Sequence, residues 1–462
     1  MNTATRRAFL QRLSGLAATG VAAPWALNLA AMGNAAAATA ADYRALVCVF
    51  LYGGNDQSNT LVPYDSASYT RYQSLRPGLA YARPALAATA LSPTVVPLDR
   101  DGAARQYALA PELAPLKALF DAGRLAPLLN VGPLVQRTSK AEYLAGAVPL
   151  PPKLFSHNDQ QSVWQSDATE GATSGWGGRL ADLLLADNAN ATFSCVNVAN
   201  NAVFMSGHTA VQYQVGPGGP QPVNGLLAPL FGSTAASDAL RSLITQERTH
   251  LFESEYNRVT RRAIDAYGTL SAALDAAPPV TTPFPVVGNM LARQLQFVAR
   301  MISAAPGVGA KRQVFFVSLS GFDNHDSLQD SHPALLAQVG AALAAFDAAM
   351  IELGTSSQVT AFTASDFGRT LTVNNDGSDH GWGSMHFVTG GAVKGQRYYG
   401  TPPLVASDGL DDVGQGRLLP STATDQMAAT LGRWFGVSDA DLLTVLPNLV
   451  NYQASERNLG FV

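Results

Sequence analysis

Charge is the first thing this 462-residue chain has little of. Lys, Arg, Asp and Glu make up 14% of it, against about 25% in an average soluble protein. Hydrophobic residues make up 47%, so disorder is excluded and a large core can be buried. Cysteine is scarcer still. Cys48 and Cys195 cannot build a disulfide framework and have no CxxC spacing for zinc or redox work. Each sits in an apolar run, ALVCVFLY and FSCVNVA, which predicts two buried thiols, with a single bridge as the alternative.

Basic residues are outnumbered, with Lys plus Arg at 30 and Asp plus Glu at 34. Arg6, Arg7 and Arg12 lie in a segment read below as removed, which leaves 27 against 34. A general nucleic-acid binder is disfavoured, because such binding needs clustered Lys and Arg on phosphates. No GxSxG elbow occurs, and no GxGxxG follows the first apolar run, so neither an α/β-hydrolase nor a dinucleotide enzyme is supported. The 41 Gly and 27 Pro follow no Gly-X-Y period, which excludes a collagen-like chain.

What is present begins with an address. Residues 1–41 carry Arg6 and Arg7 in TRRAFLQ, a mildly apolar run over 13–31, then NAAAATAA, and no acidic residue. That is the three-part layout of an export signal with a twin-arginine start. The run is broken by Gly15, Gly20, Pro24 and Asn28, too weak for an anchor, which needs about 20 strongly apolar residues. Cleavage is expected between Ala36 and Ala41, giving a periplasmic or secreted product of the twin-arginine pathway. No other segment is expected to reach membrane-spanning length, so no transmembrane segment remains after cleavage. The route carries folded proteins, which fits a cofactor or metal loaded before export.

In the mature chain, 45–52 (ALVCVFLY), 313–319 (QVFFVSL) and 358–363 (QVTAFT) read as strands buried on both faces. Helical patterns cover 111–122, 178–186, 238–274, 286–304 and 333–353. This alternation predicts an α/β fold with a largely parallel central sheet sandwiched by helices. The loops VGPGGPQPVN and PPVTTPFP bracket the longest helical pattern. They mark a mostly helical insertion at about 215–285 within a single domain over 42–462.

Ligands of such sheets sit beyond the carboxyl ends of the strands, where three loops are unusually polar. The first, GGNDQSN, holds Asp56; the second, SGFDNHDS, holds Asp323, His325 and Asp326. The third, ASDFGRT, holds Asp366 and Arg369, and NNDGSDHGWGSMH then brings Asp376, Asp379, His380 and His386. Carboxylate and imidazole without thiolate suit zinc, manganese, magnesium and iron. A cation would also offset the cost of gathering carboxylates. The structural alternatives are caps at Asp56, Asp323 and Asp366 and a satisfied polar histidine at His380.

A further candidate is LFSHNDQQSVWQ, in which Ser156 starts a helix running from about Asn158. A hydroxyl there faces unsatisfied amides and a positive dipole end, which suits attack on phosphate or sulfate, although Ser is also an ordinary cap. His157 beside it is a candidate for metal binding or proton shuttling. His208 and His250 read as structural or surface residues and His332 as a reserve ligand. TSGWGGRLAD, with Trp176 and Arg179, lacks the lysine of a phosphate loop.

Taken together, TRRAFL, FLYGGNDQSNTLVPY, FSHNDQQSVWQ, GFDNHDSLQ, SDFGRTLTVNNDGSDHGWGSMHFVTGGAVKG, RWFGV and LPNLVNY resemble one family over nearly the whole chain. It is the twin-arginine-exported bacterial family known as domain of unknown function 1501, related to the alkaline phosphatase and sulfatase superfamily. The resemblance implies an alkaline phosphatase-like α/β domain with a metal site at strand ends and a nucleophile at a helix start. It implies Asp56, Asp323, His325, Asp366 and His380 as ligands of one or two divalent ions, whether zinc, manganese, magnesium or calcium. Ser156 would attack, and Arg369 would hold the anion. The chain departs from the superfamily pattern in three places: Phe367 follows Asp366 where a histidine is usual, Asp323 and His325 are closely spaced, and Asp56 lies beyond GGN. The expected function is an exported metal-dependent hydrolase of phosphate or sulfate esters acting on a small anionic ester. The alternative is a non-catalytic binding or assembly protein on the same scaffold, with a protein partner.

Overall fold

The apolar run after Tyr43 forms the middle of a sheet. A computed structural model describes residues 42–462, and the twin-arginine segment lies outside them. In chain order the strands are β1 (Arg44–Tyr52), β2 (Leu61–Pro63), β3 (Tyr107–Leu109), β4 (Leu125–Gly132), β5 (Cys195–Asn197), β6 (Tyr213–Gln214), β7 (Arg312–Ser320), β8 (Val359–Ser365), β9 (Ser384–Thr389) and β10 (Thr422–Ala423). Eight of them make one sheet in the order β10-β4-β9-β8-β1-β7-β5-β6, and β2 and β3 form a separate antiparallel pair. β1 runs parallel to both β7 and β8. Only β9 runs antiparallel to its neighbours β4 and β8, so the sheet is largely parallel as expected.

Strand geometry sends successive side chains to opposite faces, and β1 shows what that buries. Ala45, Val47, Val49 and Leu51 join a core with Leu295 and Leu343 from the helices Met290–Ser303 and Leu328–Glu352. Leu46, Cys48 and Phe50 join a second core with Leu180 and Leu431 from the helices Trp176–Leu184 and Thr424–Phe435. Helices therefore cover both faces, which is why β1 reads as an unbroken apolar run. Cys48 and Cys195 are free thiols in the second core, and burial pushes both well above the usual thiol range.

Two helical expectations change. The helix Leu328–Glu352 begins ahead of Pro333 and is, contrary to expectation, long and apolar enough to cross a membrane. It packs against the helices Met290–Ser303 and Ala114–Asp121, which accounts for its apolarity as that of a core helix. The pattern over 238–274 is two helices, Thr234–Thr245 and Leu251–Ala276. Asn257 Nδ2 donates to the carbonyls of Gln246 at 2.7 Å and Leu243 at 3.4 Å, and Arg261 donates to that of Thr245. The second helix thereby satisfies carbonyls that the end of the first leaves open.

The register places Tyr52 beside Ser320 and Leu51 beside Ser365. The three polar loops thus leave the sheet side by side, at the carboxyl ends of β7, β1 and β8.

Candidate metal centre

Glycine lets these loops close on one another. Gly53 and Gly54 have φ of 115° and 86°. A Cβ on Gly53 would stand 2.3 Å from the backbone nitrogen of Asp323, and one on Gly54 would stand 2.5 Å from the Phe367 ring. No other residue fits at that approach. Hydrogen bonds stitch the same edge, with Phe322 N donating to Tyr52 O at 3.1 Å and Asn55 N to Ser365 Oγ at 2.9 Å.

Asp323 is the centre of what the loops assemble. His157 Nε2 lies 3.3 Å from its Oδ2, while His325 Nε2 at 3.1 Å and His380 Nε2 at 3.3 Å face its Oδ1. The opposite nitrogen of each ring meets an oxygen: His157 Nδ1 meets Asp366 Oδ2 at 2.7 Å, His380 Nδ1 meets Phe155 O at 2.8 Å, and His325 Nδ1 lies 3.3 Å from Asp379 Oδ1. An oxygen acceptor thus stands at both nitrogens of each ring, and a neutral ring with its proton on Nδ1 turns its Nε2 lone pair toward Asp323. In that tautomer all three Nε2 lone pairs face the Asp323 carboxylate, and His325 Nε2 also lies 2.8 Å from His380 Nε2. A cation among these atoms, whether a proton or a metal ion, makes that arrangement favourable.

The donor set fits a metal. One ligand atom each from His157, Asp323 and His380 lies within 4.8 Å of the other two. His157 Nε2 and Asp366 Oδ1 are buried without a hydrogen-bond partner, which is costly unless something else is bound. Metal-ligating histidines characteristically give their other N–H to a carboxylate or carbonyl, as these do.

The charges of the site act on one another. The Asp366 hydrogen bond raises the His157 pKa against the opposing effect of burial. Burial alone would raise Asp323, but the Arg369 hydrogen bond and the charges of His157, Arg369 and His325 bring it below the usual carboxylate range. Burial lowers His380, helped by the charges of His157 and Arg369.

Of the expected ligands, Asp323, His325 and His380 converge. Asp366 stands behind His157, accepting from it and from Gln161 Nε2 at 2.7 Å. Asp56 is elsewhere. The glycine turn carries it into a buried ion pair with Arg76, and its Oδ1 accepts from Ser58 N at 3.1 Å and Asn59 N at 3.4 Å, so it caps a turn. Arg369 does not face a ligand either. It is fully buried, and its guanidinium donates to Asp323 Oδ1 at 2.7 Å, Gly53 O at 3.2 Å and the hydroxyl and carbonyl of Ser378. Its place is to orient Asp323.

Ser156 is the N-cap of the helix His157–Ser166, but its side chain makes no cap bond; Oγ donates to Asp159 Oδ2 at 3.0 Å. It lies between Phe155, which holds His380 and has an unusual φ of 71°, and His157. Phe367 packs its ring 4.8 Å from that of His157 and 4.6 Å from that of His380, as a wall and not a ligand. His332 is a core residue bonded to Asn55 Oδ1 at 3.0 Å, and burial lowers it to about 4. Burial lowers His386 to about 3 beside Trp164. His208 and His250 are exposed. His157, offered by the sequence for metal binding or proton shuttling on the strength of its place beside Ser156, stands with Asp323 and His380 as a central ligand candidate.

A family model described as Protein of unknown function (DUF1501) matches residues 43–446. No curated protein matches the chain. Among solved structures, the chain is similar to PsFucS1 sulfatase from Pseudoalteromonas sp., with a TM-score of 0.33 and 9% identity over 89% of this chain and 71% of that one. It is similar to Ps i-CgsB in complex with k-i-k-neocarrahexaose, at 0.36 and 9% over 90% and 77%. A third is the phosphonate monoester hydrolase SpPMH from Silicibacter pomeroyi, at 0.31 and 10% over 85% and 73%. At those scores the likeness carries no weight for the reaction or its residues.

Proposed function

We propose, for this chain, which belongs to that family, that it is an exported metal-dependent hydrolase of phosphate or sulfate esters with one divalent cation held by His157, Asp323 and His380. His325 is the fourth donor. The observation that carries the reading is the set of Nε2 atoms turned toward Asp323 while each Nδ1 is held by an oxygen. Imidazole-rich sites with a single carboxylate favour zinc over magnesium or calcium, which prefer all-oxygen shells. When bound, the cation supplies Lewis-acid stabilisation of the charge that develops on the ester.

The chain's own residues do the rest. Ser156 Oγ attacks the phosphorus or sulfur of the ester, the bond to the leaving alcohol oxygen breaks, and the hydroxyl proton moves toward Asp159 Oδ2, which already accepts it at 3.0 Å. Water then cleaves the esterified serine and restores the hydroxyl. Asp366, Asp379 and the Phe155 carbonyl fix the rings, and Arg369 fixes Asp323. The twin-arginine segment directs the folded protein to the periplasm or beyond.

The test is turnover of p-nitrophenyl phosphate and p-nitrophenyl sulfate by zinc-loaded mature protein. Turnover that disappears in S156A while zinc stays bound supports the reading, and full activity in S156A removes Ser156 as nucleophile. Phe367, filling the place of an imidazole in the superfamily pattern, favours a non-catalytic binding protein as the second reading. Stoichiometric zinc with no turnover of either ester is that reading's outcome.

A further inference from the structure

An anionic substrate needs a cation with donors to spare, and the site's other cations have few. Arg369 is committed to Asp323, Ser378 and Gly53. Arg76 is committed to Asp56 and to the carbonyls of Thr370 and Leu371. Lys153 lies 3.5 Å from Asp159.

Arg417 differs. Its Nε donates to His380 O at 2.9 Å, and its guanidinium carbon sits 4.7 Å from the centre of the Phe155 ring. Those two contacts fix the plane of the guanidinium beside two residues of the centre. Among the described residues, neither terminal nitrogen has a protein partner. The loop that carries it is firmly held. Asp412 Oδ1 accepts from Gly414 N at 2.7 Å and Gly416 N at 2.9 Å, its Oδ2 accepts from Asp408 N at 2.7 Å, and Leu371 N donates to Gly416 O at 2.9 Å. A pre-organised fork with two unspent donors is the arrangement that matches two oxygens of a tetrahedral oxyanion.

We propose that Arg417, and not Arg369, receives the anionic group of the ligand at this centre, through both terminal nitrogens. The identity of that group as a phosphate or sulfate ester rests on the hydrolase reading; the role of Arg417 does not need turnover.

The test is calorimetric titration of inorganic phosphate and, separately, inorganic sulfate into zinc-loaded mature protein. Wild type, R417K and R417Q are compared, with zinc content measured on the same samples. Wild type is expected to bind at least one of the two anions, which also decides between them. R417Q should weaken binding by about tenfold or more with zinc unchanged, the size of a lost charge-assisted hydrogen bond. R417K should fall in between, keeping charge without the fork. R417Q within about twofold of wild type overturns the proposal, as does wild type binding neither anion. Parallel loss of zinc and anion in both variants also overturns it, because Arg417 would then only position His380. The hydrolase reading fails separately: Arg417-dependent anion binding without ester turnover defeats that reading alone, and turnover with an unchanged KM in R417Q defeats the Arg417 proposal alone.

Discussion

His157 Nδ1 lies 2.7 Å from Asp366 Oδ2, and this one contact decides which nitrogen of the ring faces Asp323. Because an ionised carboxylate can only accept, Nδ1 carries a proton, and in the neutral ring Nε2 is the lone pair offered to the site. Asp366 thereby acts on the centre without touching Asp323.

Removal of Asp366 should therefore loosen metal without removing a ligand atom. D366A is expected to weaken zinc binding by about 10–100-fold, the usual cost of losing an outer partner of a ligating histidine. Competition against a fluorescent chelator measures it. Unchanged affinity would mean that His157 is held by something other than Asp366.

Asp56 makes the opposite prediction. It and Arg76 are both buried, and an Asp56→Ala change strands the guanidinium. The expected loss of stability is about 3–5 kcal/mol, read by urea unfolding, with one zinc still bound to the folded fraction. Zinc lost while stability is kept would restore Asp56 as a ligand.

Gly53 tests the closeness of the loops. An alanine there must keep φ near 115° and place Cβ 2.3 Å from backbone that cannot move aside. G53A should lose at least about 2 kcal/mol in denaturant unfolding, from backbone strain and a clash with no flexible side chain to give way. A change within about 0.5 kcal/mol would contradict the tight approach of β1 and β7 at this end.

The buried Asp425 and Asp167 pair should contribute less stability as pH rises between the ordinary carboxylate range and neutrality, against the rise that His332 and His386, both lowered by burial, give below the usual imidazole range. Burial pushes Asp425 up to about 7, and burial together with the Asp425 charge pushes Asp167 up as well, with Arg179 opposing. A group whose folded pKa is raised holds more protons folded than unfolded across that interval, so its contribution is full below the unfolded pKa. That contribution is lost as pH climbs through the folded value. D425N is expected to make the change in melting temperature from pH 4 to pH 8 more positive than in wild type. A slope equal to wild type would show that the buried pair does not titrate there.

The central strands are legible in the sequence because β1, β7 and β8 are buried on both faces and their residues show it as unbroken apolar runs. β9 is not, since SMHFVT is short and follows a glycine-rich polar loop, and β4 carries Pro127 and ends on glycine. The three polar loops do leave the sheet side by side at one end, as their positions in the sequence suggest. Their internal geometry is another matter. Nothing in the sequence tells that the turn at Gly53 and Gly54 carries Asp56 into the pair with Arg76. Nor does it tell that Asp366 meets His157, a residue 209 positions earlier in the chain. Arg417 is hidden for the same reason, since its partners Phe155 and His380 lie in distant segments.

The measurement that bears most directly on the metal centre is the metal content of exported, mature protein by elemental mass spectrometry, compared with an H157A/H380A double variant. About one zinc per chain in wild type and none in the folded double variant is the predicted result. A stably folded wild type without metal, or equal metal in the double variant, would contradict the centre built around Asp323.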